Sequence, residues 1–173
     1  MKKLMSAMEY IHSKDYIHRD IKPENILFTD KRDFSSLRIV DFGLSTIDPG
    51  MISNLVSDKV GTILYMAPEQ TDYTSYTKKV DIWAWGTLMH YMLTGEHPFH
   101  VKGDTESSYL KRLQSGRNLE LPEDLQVSDS CRDFFTNLWT YSSVERLTAR
   151  KALEHPWIVG DDRDELSLES LIN

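Results

Sequence analysis

Residues 18 to 25 read His-Arg-Asp-Ile-Lys-Pro-Glu-Asn, which places a carboxylate, an ammonium and an amide within one short stretch. A second acid follows in Asp41-Phe42-Gly43, and a third motif, Ala67-Pro68-Glu69, lies further on. A carboxylate can accept a proton or, beside an amide oxygen, hold a hard cation. An ammonium stabilises negative charge that develops next to it. Singly, such residues are ordinary solvated charges on a protein surface. Their order and spacing as a set carry the information.

The elements that must position them can be read from periodicity and caps. Leu4, Met8 and Ile11 fall at i, i+4, i+7 and predict an amphipathic helix over 4–11. Short β-type segments at 26–28 and 37–40 flank the polar stretch 29–36, and so lie between the first two motifs. Residues 44–60 are polar with weak periodicity and read as a long loop, a length that in compact domains usually serves function or is disordered. Asp81 opens an apolar stretch to Leu93, hydrophobic nearly all round, as a helix inside a core would be, with Gly95 placed to cap it. Further helices are predicted at about 104–115, 129–139 (N-cap Ser128 or Asp129) and 148–154 (N-cap Thr148).

Composition bounds the partners. The chain has 173 residues and a net charge of -7, enough length for a core of its own. A net negative chain is a poor fit to nucleic acid or an anionic membrane, whereas cationic peptides remain compatible. The longest uncharged apolar run, Ile82 to Gly95, is too short to span a bilayer. One cysteine, Cys131, excludes an internal disulfide and any cysteine-pair zinc site, and its helical face is shared with Phe134, Phe135 and Leu138. His97 and His100 lack further metal-type ligands nearby. Lys2 and Lys3 are followed by few apolar residues before Glu9, so no secretory pattern is visible, and a reducing intracellular compartment, the cytoplasm, is expected.

The three motifs, in this order, resemble the catalytic-loop, magnesium-loop and loop-closing motifs of eukaryotic protein kinases. Gly61-Thr62 before Tyr65-Met-Ala-Pro-Glu69, the Asp81-Ile-Trp-Ala-Trp-Gly86 helix start, Gly95-Glu-His-Pro-Phe99, Arg146 and His155-Pro-Trp-Ile158 extend the likeness over about residues 4 to 159. The ending is similar to the calcium/calmodulin-dependent kinase group. The resemblance implies a mainly α fold, the large C-terminal lobe, a helical bundle with a small β-hairpin, over 1–159, followed by an acidic tail at 160–173. It implies ATP and Mg²⁺ as cofactors and a protein serine/threonine substrate. Asp20 takes the place of the catalytic base, and Lys22 that of the cation beside the transferred phosphoryl group. Asn25 and Asp41 stand as the metal ligands, and Leu27 as the apolar floor under adenine. Glu24 adjoins this nucleotide side and, with Glu96, occupies a position that relatives use to read Arg near the acceptor residue, which makes a basic substrate plausible.

The resemblance also implies structural and regulatory roles. Glu69 and Arg146 match a buried ion pair that anchors the end of the long loop, and Asp81 the start of the central helix. His18 is a packing and hydrogen-bonding residue, not a base. Arg19 marks kinases whose loop is ordered by a phosphate. Asp58 stands four residues before Thr62, where many relatives are phosphorylated, and either pairs with Arg19 or is a solvated acid; Ser53 and Ser57 are alternative phosphorylation sites. Trp85 replaces a smaller aliphatic residue, which predicts local repacking. No Gly-x-Gly-x-x-Gly loop and no Val-Ala-x-Lys strand occur in the sequence, so the nucleotide-covering lobe is expected to be absent. Three readings follow: a truncated kinase, a stand-alone lobe that binds substrates or partners without catalysis, and an inactive relic. Each leaves an apolar patch exposed around Leu27 and the first helix.

Overall fold

The computed structural model describes residues 2–30, 32–48, 61–71, 75–116 and 120–160. Ser53, Ser57, Asp58 and the stretch 161–173 therefore lie outside the described residues. Seven helices and two small antiparallel ladders are present among the described residues, the mainly helical bundle with a β-hairpin that the sequence predicts.

Helix α1 (Lys2–Ser13) buries Leu4, Met5, Met8 and Ile11. Strand β2 (Ile26–Phe28) pairs with β3 (Leu37–Ile39) in the register Ile26 to Ile39 and Phe28 to Leu37. A second ladder pairs β1 (Tyr16–Ile17) with β4 (Thr46–Ile47), so part of the stretch read as loop is paired strand. Two-residue strands are too short to show alternation, which is why the sequence conceals them. Helix α2 (Pro68–Thr71) is one turn, missed for the same reason.

Helix α3 (Lys79–Thr94) is the centre of the fold, buried without interruption from Val80 to His90. It starts two positions before Asp81, and left-handed Gly95 closes it by donating to the Tyr91 carbonyl at 2.9 Å. Gly86 sits where a Cβ would lie 2.7 Å from the Trp139 indole, so the helix admits Trp139 only because position 86 has no side chain. Helices α4 (Glu106–Leu113), α5 (Asp129–Leu138), α6 (Ala149–Leu153) and α7 (Pro156–Val159) complete the bundle. The caps of α5 and α6 are Ser128 and Thr148, whose hydroxyls accept from the amides of Cys131 and Lys151. Trp83, Trp85 and Trp139 are fully buried, and Trp157 lies partly buried against the same cluster. Among the described residues no helix is long and apolar enough to cross a membrane.

Candidate active site

Asp81, in the first turn of α3, is 1% exposed, and three donors hold its carboxylate. Oδ2 accepts from the His18 amide at 2.9 Å and from His12 Nε2 at 2.8 Å, and Oδ1 accepts from the Arg19 amide at 2.8 Å. The central helix thereby grips the backbone one residue before Asp20. Arg19 needs that grip, since its φ of +70° lies in the left-handed region that non-glycine residues avoid. Its guanidinium donates to the Leu44 carbonyl and to the Tyr76 hydroxyl. His18 donates through Nε2 to the Val40 carbonyl at 3.0 Å, and its ring meets the edge of Phe42 at 4.8 Å. Because Nδ1 faces the Asp20 amide at 3.4 Å, the imidazole is fixed as an acceptor there and a donor at Nε2.

Asp20, Lys22, Asn25 and Thr62 form one cluster. Asp20 Oδ1 accepts from the Thr62 hydroxyl at 2.8 Å and the Thr62 amide at 3.0 Å. Oδ2 pairs with Lys22 Nζ at 2.7 Å and accepts from Asn25 Nδ2 at 3.1 Å. Lys22 also donates to the Thr62 hydroxyl at 2.9 Å. Burial pushes the Asp20 carboxyl upward, but hydrogen bonds from Lys22 and Thr62, with the Lys22 charge, outweigh it. The group sits below the ordinary carboxylate value and is ionised at neutral pH. Gly61 makes the Thr62 approach possible: its φ is +109°, and a Cβ there would lie 2.3 Å from the Arg19 carbonyl.

The hairpin places the remaining candidates. Beyond the β2–β3 register the Val40 amide donates to the Asn25 carbonyl at 2.9 Å, which sets Val40 opposite Asn25 and Asp41 one residue further on, at the open end of the hairpin. Asn25 Nδ2 also donates to the Asp20 carbonyl at 2.8 Å, so both amide donor contacts face Asp20 and Oδ1 is the atom turned elsewhere. Asp41 has a φ of +62°, and its exposed carboxylate accepts from the Gly43 amide at 3.2 Å. An amide oxygen and an exposed carboxylate are the donor types that a hard divalent cation takes along with phosphate and water.

Other candidates lie apart from this cluster. Leu27, in β2, is 49% exposed. Glu24 is exposed on the turn Pro23–Asn25, and its charge, after burial, helps raise the Tyr65 phenol. Glu96 is exposed in the turn after α3, where its backbone carbonyl faces His90. Glu69 and Arg146 form a bidentate pair at 2.7 and 3.1 Å, with the Arg146 side chain wholly buried. Sequence reasoning missed the part of His12 under Asp81, because a lone histidine on a helix carries no distinguishing pattern. It also missed the contact of Tyr76 with Arg19, which joins residues far apart in the chain.

A family model describing the protein kinase domain matches residues 1–158. Calcium-dependent protein kinase 4 of Plasmodium falciparum (isolate 3D7) is 37% identical over 172 residues, 98% of this chain and 32% of that protein. Calcium/calmodulin-dependent protein kinase type 1B of Rattus norvegicus is 36% identical over 166 residues, 94% of this chain and 47% of its own. A probable myosin light chain kinase of Dictyostelium discoideum is 38% identical over 174 residues, 99% of this chain and 34% of its own. The chain thus spans about a third to a half of the length of these curated relatives.

Proposed function

The chain belongs to the protein kinase family, and we propose that it carries the phosphoryl-transfer residues of a serine/threonine kinase acting on protein hydroxyls. The observation that supports this most is the Thr62 hydroxyl, seated between a carboxylate that accepts its hydrogen bond and an ammonium that donates to its oxygen. An acceptor serine or threonine needs the same two partners. Asp20, ionised and oriented by Asn25, takes the proton of the attacking hydroxyl as the oxygen forms its bond to phosphorus. Lys22 neutralises charge at the group being transferred. Asn25 and Asp41 would hold the divalent metal. Mg-ATP, when bound, supplies the γ-phosphoryl group and keeps the leaving charge on ADP.

Much of the work in such a reaction is positioning, and here the chain's own contribution is the Asp81 grip on the Asp20 loop. Exposed Glu24 and Glu96 favour a substrate with basic residues near the acceptor, and an intracellular, cytoplasmic setting fits this reading.

The test is Mg-ATP binding by calorimetry, with transfer to a basic serine peptide and Asp20→Asn as control. Loss of the catalytic base is expected to lower turnover by at least about 100-fold. Transfer that persists in Asp20→Asn would overturn the reading. Peptide binding without nucleotide binding would favour a non-catalytic binding module.

A further inference from the structure

The segment that delivers Thr62 to Asp20 is fixed from behind by two side chains that the site does not otherwise use. The Leu64 carbonyl, in the tight turn Ile63–Tyr65, receives the Tyr109 hydroxyl at 3.0 Å and a second hydrogen bond from His97 Nε2. A carbonyl oxygen has two lone pairs, and here each meets its own donor. The donors come from different elements: Tyr109 from α4, His97 from the turn that follows α3.

Both rings are themselves held. His97 meets the edge of Tyr65 at 5.7 Å and leans on Tyr109 at 5.9 Å. Its Nδ1 accepts from the Phe99 amide at 3.4 Å, which fixes Nε2 as the protonated nitrogen. Phe99 meets Tyr109 edge-on at 6.3 Å and stacks on Trp83 of the central helix at 5.8 Å. Burial raises the Tyr109 phenol and lowers His97 to about 4, so both remain neutral donors at physiological pH.

We propose that His97 and Tyr109 are positioning residues, a two-donor clamp on the Leu64 carbonyl that sets residues 62–66 against the Asp20 loop and thereby aligns the acceptor side of the site. The alignment of an acceptor rests on the function proposed above, whereas the clamp itself can be read without any catalysis.

Hydrogen exchange on the whole chain tests it. Tyr109→Phe and His97→Phe keep a ring in each place and delete the donor. The amides of Thr62, Tyr65 and Met66, bonded to Asp20 and to the carbonyls of Thr62 and Ile63, are expected to exchange about 10-fold faster in each variant, and faster again in the double. Amides of α5 should keep their rates, and His97→Gln, which retains a donor, should keep the protection at 62–66. Unchanged protection in both phenylalanine variants overturns the clamp. So does an equal rise throughout α5, which would mean a role in general stability alone. If His97→Phe does not fold, Tyr109→Phe decides by itself. With active protein, the same variants should raise the peptide KM several-fold and leave kcat nearly unchanged. Absence of transfer by the parent chain would count against the proposed function and leave the exchange result standing.

Discussion

Arg146 spends all five of its N–H donors: two on Glu69, and one each on the carbonyls of Thr140 at 3.0 Å, Lys79 at 2.8 Å and Tyr141 at 3.2 Å. Its guanidinium also lies 4.9 Å from the Trp83 ring centre. Arg146→Met leaves Glu69 and three carbonyls without their cation, and is expected to cost about 3–5 kcal/mol in denaturant unfolding. Lysine cannot substitute, because it has no planar fork. The two indoles of the core make a contrasting pair. Trp139 Nε1 donates to the Thr87 hydroxyl at 3.3 Å, whereas Trp85 Nε1 is buried with no partner among the described residues. Trp85→Phe removes an unpaired donor as it opens a small void, so the two effects offset and the change should cost less than about 1 kcal/mol. Trp139→Phe loses a bond as well as volume and should cost about 2 kcal/mol or more. At this scale the clustering of Asp20, Lys22 and Asn25 was legible, because motif order compensates for the weakness of each residue. The side chains around it, His12, Tyr76 and Tyr109, were not, since only the fold decides which distant groups meet.

Among the elements, α3 was the most legible. Its apolar sequence admits no solvent face, and its end is marked by Gly95. Its start was misplaced because Lys79 gives no capping signal: the preceding Lys78 makes no side-chain cap. Gly86→Ala sets a methyl against the Trp139 ring, which is boxed by Phe135 and His90, and overpacking there should cost about 1–3 kcal/mol even though alanine is the better helix former. The turn after α3 carries the pH dependence. His97 has an ordinary value of 6.5 and about 4 in the fold, because burial disfavours its charged form. Between those two values the unfolded chain binds a proton that the folded chain refuses, so stability falls as pH drops from 6.5 towards 4 and is then flat. His97→Gln should reduce that slope in unfolding midpoints measured across this interval. Asp20 acts in the same direction at lower pH: its depressed carboxyl favours the fold at neutral pH, and that contribution is lost as acid protonates it.

Over the whole molecule, the described residues leave a broad apolar surface beside the hairpin and α1. Leu27 is 49% exposed, Phe42 49%, Met92 51% and Tyr10 64%. The first helix and Leu27 were expected to border such a face; Phe42, which follows β3, and Met92 were not, and for Met92 the reason is that exposure at the end of an apolar helix cannot be read from its composition. Surfaces of this kind promote association. Met92→Ser with Leu27→Ser should raise the monomer fraction of this chain in sedimentation velocity at a given concentration, with little change in far-UV circular dichroism. The fold class was readable because the ordered motifs carry the family's architecture and the apolar central helix agrees with it, whereas the β1–β4 ladder joins segments that give no local sign of pairing. The Glu69–Arg146 pair has a further consequence. It joins positions 77 residues apart, so a large loop must close before it can form. Because that closure entropy is lost before the ion pair offsets it, the pair is expected to form late in folding. In stopped-flow chevrons the Arg146→Met variant is therefore expected to refold at nearly the parent rate and to unfold far faster. The anchor of the acceptor-side segment would then set how long the native state lasts, and hardly how quickly it is reached.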